Sequence, residues 1–105
     1  MMMNALQDNE VRSRLLSILI ELERQREVAS SYSPGSLPYV DEMRQLREYI
    51  ELAGEYAIAY ESIVATVETH PFRLSGTAAV KLLEVALSMG YKTDRPEDAS
   101  FDIRT

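Results

Sequence analysis

Apolar residues recur at intervals of three and four through most of the chain, in four runs separated by short groups of helix breakers. That spacing is the period of a helix face, and no stretch alternates apolar and polar as a half-buried strand would. In the first run, Asp8 is placed to cap a helix that carries Val11, Leu15, Ile18, Leu19 and Leu22. Leu16 and Ile20 widen this stripe beyond what one packing partner needs. The width suits either a central helix or a surface for a homodimer.

The run ends near Val28, before Ser30-Ser31-Tyr32-Ser33-Pro34-Gly35-Ser36. Ser36 as N-cap and Pro38 in the first turn open a second helix, with Tyr39, Met43, Leu46, Ile50 and Ala53 on one face. Gly54 supplies a stop, because glycine enters the left-handed region without steric cost. The third run, from Glu55, buries Tyr56, Ala59, Tyr60, Ile63, Val64 and Val67 and ends at Thr69-His70-Pro71. One helix continuing through Gly54 is the competing possibility at this junction. Ser75 then caps a fourth helix with Ala79, Leu82, Leu83, Ala86 and Leu87 inside and Gly90 as its stop. The spacing therefore predicts an all-α, single-domain four-helix bundle with helices over 8–28, 38–53, 55–69 and 75–89. Residues 91–105 form a polar tail, in which Phe101 and Ile103 are the anchors available for strapping it to the bundle.

Composition narrows the function classes. A chain of 105 residues fits one domain, and its 46% hydrophobic content is enough for a core. Cysteine is absent, which removes disulfides, thiolate metal ligands and a thiol nucleophile, and suits a reducing compartment such as the cytosol. Leu15-Leu16-Ser17-Ile18-Leu19-Ile20 runs straight into Glu21, so no membrane association is expected. The net charge of −6 argues against direct nucleic-acid binding. Its distribution is uneven: residues 1–37 hold five acidic and four basic side chains, 38–70 seven and two, and 71–105 five of each. The excess is concentrated in the middle third.

Catalytic constellations are not found. The single histidine, His70, falls at a helix C-terminus, where a cation complements the dipole and a ring nitrogen can meet free carbonyls. There is no second histidine for a zinc site and no Glu-x-x-His pair for a di-iron bundle. Gly35, Gly54, Gly76 and Gly90 stand singly at element boundaries, unlike a phosphate-binding loop. Carboxylate pairs such as Glu48 with Glu51 read as a solvated helix face. No enzyme, no metal and no cofactor is therefore expected.

The densest feature is the junction from Glu48 through Glu61, where Glu48, Glu51, Glu55 and Glu61 alternate with Tyr49, Tyr56 and Tyr60 around Gly54. Tyrosine combines apolar area with a hydroxyl and is a frequent interface anchor. Two readings compete: tyrosines in the core with glutamates for solubility, or a binding surface. Glu48-Tyr49-Ile50-Glu51, Gly54-Glu55-Tyr56 with Ala59, and the closing Leu82-Leu83-Glu84-Val85-Ala86-Leu87-Ser88-Met89-Gly90 resemble the MafI-like immunity proteins, over roughly residues 46–90. Those proteins accompany polymorphic and contact-dependent growth inhibition toxins of bacteria. The resemblance implies a cytoplasmic helical protein that binds the C-terminal domain of its cognate toxin one to one, often a nuclease, and neutralises it. Matching positions carry over Glu48, Glu51, Gly54, Glu55 and Tyr56 as toxin-contacting or turn residues; Tyr49, Tyr60 and Glu61 are added from the junction itself. A non-inhibitory adaptor or secretion chaperone, using the wide face of the first helix, is the alternative.

Overall fold

The computed structural model describes residues 5–90, and the tail carrying Phe101 and Ile103 lies outside them. Its elements are α1 (Ala5–Glu23), a 3-10 turn (Arg26–Ser31), α2 (Tyr39–Glu51), α3 (Tyr56–Thr69) and α4 (Gly76–Ser88). The described residues contain no strand. This is a small helical bundle, and α1 is its centre, packing against each of the other three helices.

Val11, Leu15, Ile18, Leu19 and Leu22 of α1 are fully buried, so the stripe read from the sequence is spent on the core. Leu16 also packs against the core, and Ile20 is left partly exposed at 40%. Tyr39, Met43, Leu46 and Ile50 of α2 and Ala59 and Ile63 of α3 complete the cluster from the other side. α4 runs antiparallel to α1: Ser75 meets Glu21, Lys81 reaches Ser17 at 2.8 Å, and Glu84 meets Arg14 at 3.5 Å.

Several boundaries differ from expectation. α1 starts at Ala5, which puts Asp8 inside its first turn, where a carboxylate favours the dipole without capping. The helix stops at Glu23, short of Val28, because Leu22's carbonyl is taken. It accepts from the buried Tyr39 hydroxyl at 2.8 Å and from the Gln25 N–H at 3.1 Å, and the chain tightens into the 3-10 turn. Ser36 does not cap α2; its hydroxyl and N–H both donate to the Ser33 carbonyl, closing the Ser-Pro-Gly turn. Pro38, with extended ψ of 152°, is the residue before α2.

Ala53 falls beyond the last turn of α2 and is exposed. In α4 the buried residues are Ala78, Val85 and Ala86, the last as expected; Leu82, Leu83 and Leu87 are half-buried, with Leu82 packed against the core, and Ala79 is exposed. Apolar residues occur on almost every side of this helix, so packing against α1 chose between two faces that periodicity left equal. Ser75 does cap α4, accepting from the Ala78 N–H at 3.0 Å. Among the described residues, no helix is long and apolar enough to cross a membrane.

Candidate functional site

The junction of α2 and α3 is made by local chemistry. Helix α2 ends with the N–H groups of Leu52 and Ala53 both donating to the Glu48 carbonyl at 3.0 Å. Gly54 then takes a left-handed φ of 62°, which turns the chain so that the Glu55 N–H reaches the Tyr49 carbonyl at 2.8 Å. The two helices are thus separate, and continuation through Gly54 does not occur. Glu55 precedes the first turn of α3 and gives it no side-chain cap.

This geometry sorts the predicted residues into two groups. Tyr49, Tyr56 and Tyr60 are half-buried and pack against the core cluster. Burial, followed by the charges of Glu61 and Glu68, pushes the Tyr60 hydroxyl above the ordinary tyrosine range, so it remains protonated. The tyrosines therefore stand behind the corner and hold it against the bundle. Glu48, Glu51, Glu55 and Glu61 are on the outside. Glu51 is tied to Arg47 at 2.8 Å, and Arg47 is itself held from α1 by Glu23, at 2.6 and 3.2 Å. Glu48 and Glu55 have no ion pair among the described residues. Both face water.

Between these carboxylates lies something the sequence pattern does not single out. Leu52 is 82% exposed, the most exposed large apolar side chain described, and Ile58 in the first turn of α3 is 43% exposed. Ala53 and Ala57 are exposed beside them. Leu52 falls off the Tyr39, Met43, Leu46, Ile50 stripe, and that offset is the signal that could have marked it. The corner thus presents apolar side chains among acidic ones. That composition suits contact with a protein surface: an apolar centre excludes water, and a charged rim sets encounter and register.

The opposite arrangement holds around His70. Its ring stacks on Tyr32 with centroids 3.7 Å apart, and Nδ1 lies 2.9 Å from the Ser31 hydroxyl. Ser31 gives its proton to the Val28 carbonyl, so the ring donates through Nδ1. The expected contact of His70 with free helix carbonyls is replaced by this bond. Nearby, Tyr32 donates to Glu42 at 3.2 Å and Thr66 donates to the same oxygen. Burial foremost, then the Glu42 charge and hydrogen bond, pushes the Tyr32 hydroxyl well above its usual range. This cluster joins the 3-10 turn, α2 and α3, and its polar groups are directed at one another.

Among the described residues no three metal-ligating side chains converge. No protein-family model matches the chain, and no curated protein and no solved structure is similar to it.

Proposed function

We propose that this chain is an immunity protein that binds a cognate bacterial toxin domain one to one and neutralises it. Its target is a basic domain of the nuclease type, masked at its active site or its substrate-binding surface. The observation that carries this reading is the corner at Gly54, where Leu52 and Ile58 stand exposed among Glu48, Glu51 and Glu55. A nuclease gathers Lys and Arg to hold phosphates, so an acidic surface with an apolar centre is complementary to it in charge. Long-range attraction between the two would speed encounter and weaken with added salt. The resemblance over residues 46–90 points to the same role.

The test is co-production with the toxin domain encoded beside this chain. Cells making both should grow, and Leu52→Glu should abolish protection while the variant accumulates normally. Loss of viability with the wild-type chain present would refute the reading. The alternative of an adaptor docking through the first helix gains nothing from the geometry, since the α1 stripe is buried within its own bundle.

A further inference from the structure

An open groove of about 680 Å³ lies between the end of α1, the 3-10 turn and the first half of α2. Tyr39 and Met43 form its apolar floor, Val40 stands at its side 63% exposed, and Arg26, Arg44 and Arg47 line it with Glu23. In a chain of net charge −6 this is a concentration of positive charge. Arg47 is occupied by Glu23 and Glu51, and Arg44 is bonded to Asp41 at 2.9 Å. Arg26 has no ion pair among the described residues. The groove is suited to an acidic segment carrying a large apolar side chain: Arg26 and Arg44 would meet carboxylates while the floor takes the apolar group.

This chain contains such a segment. Residues 97–103 read Glu97-Asp98-Ala99-Ser100-Phe101-Asp102-Ile103, with three acids, no base and the two apolar anchors of the tail. We propose that residues 97–103 dock in this groove of their own chain, with Phe101 on the Tyr39 and Met43 floor and the carboxylates facing Arg26 and Arg44. The connection is long enough. Arg14, which meets Glu84, is nine residues before Glu23, roughly 14 Å of helix rise, and Gly90 lies six residues past Glu84, about 9 Å more. The ten residues between Gly90 and Phe101 can span about 33 Å when extended. The groove adjoins the Gly54 corner through the Arg47 to Glu51 bond, and docking of the tail is tested on the protein alone, without a toxin.

The chain has no cysteine, so Thr105→Cys gives a single attachment point for a nitroxide spin label on the full-length protein. Amide signals of Ala29, Val40 and Met43 should broaden in the labelled protein, and the broadening should vanish in the exposed-site double variant Arg26→Glu/Arg44→Glu and in Phe101→Ser. Three results would overturn the proposal. These are absence of broadening at the groove, broadening that persists in the double variant, and broadening seen only between copies when labelled and isotope-enriched chains are mixed.

Discussion

The two links that flank α3 join helices by opposite means. The link over residues 70–75 is tied to the rest of the molecule by side chains distant in sequence. The Gln25 side chain pairs with the Arg73 backbone in both directions at 2.8 Å, and Glu21 accepts from the Ser75 N–H at 2.5 Å and its hydroxyl at 2.9 Å. The link over residues 52–55 uses backbone hydrogen bonds and one left-handed glycine, with Leu52 and Glu55 turned to water. The first link spends the Arg73 backbone and the Ser75 N–H and hydroxyl on contacts within the protein. The second takes its turn from local backbone conformation and is backed by the flanking tyrosines, which leaves Leu52 and Glu55 themselves available for contact.

Substitutions should separate the two. Gln25→Ala removes both bonds to Arg73 and a third to the Glu21 carbonyl at 3.1 Å. At about 0.5–1.5 kcal/mol per bond, with an exposed site at the lower end, unfolding in urea should show a loss of about 2 kcal/mol. Gly54→Ala should cost about 1–2 kcal/mol through the left-handed φ alone, since nothing lies within 4 Å of an added Cβ. A smaller loss there would mean the corner relaxes at little cost. Ser75→Ala removes the α4 cap and should lower stability by about 1 kcal/mol. Least affected should be Glu48→Lys/Glu55→Lys, within about 0.5 kcal/mol of wild type in the same assay. Under the proposed function its effect falls on association with a toxin domain, which should slow most at low salt.

The contrast also explains what could be read from the sequence. Ser75 and Gly54 act on their immediate neighbours, so a serine before an apolar run and a glycine after one announce their roles. The four helices and the buried stripes of α1 and α2 follow from spacing, because burying one face at a time is what such spacing permits. The stop of α1 at Glu23 could not be read, since Tyr39 takes the Leu22 carbonyl from 17 residues away. Nor could the clamp of Glu21 and Gln25 on residues 73–75, nor the choice of Ala78 over Ala79 as the inner face of α4. These depend on which helices meet. The junction residues divide in the same way: the exposed glutamates and the inward Tyr56 and Tyr60 were legible from spacing, but the apolar centre is Leu52, which no periodic pattern contains.

The central claim is that the Gly54 corner binds the toxin while the link over residues 70–75 serves only the fold. Titration calorimetry of Leu52→Glu and Ser75→Ala against the toxin domain that the proposed function requires, with melting temperatures of both variants, tests it most directly. Leu52→Glu should weaken Kd by about 30-fold, equivalent to about 2 kcal/mol, at an unchanged Tm. Ser75→Ala should lower Tm and leave Kd unchanged. Undiminished binding by Leu52→Glu, or a loss of affinity confined to Ser75→Ala, would contradict the account.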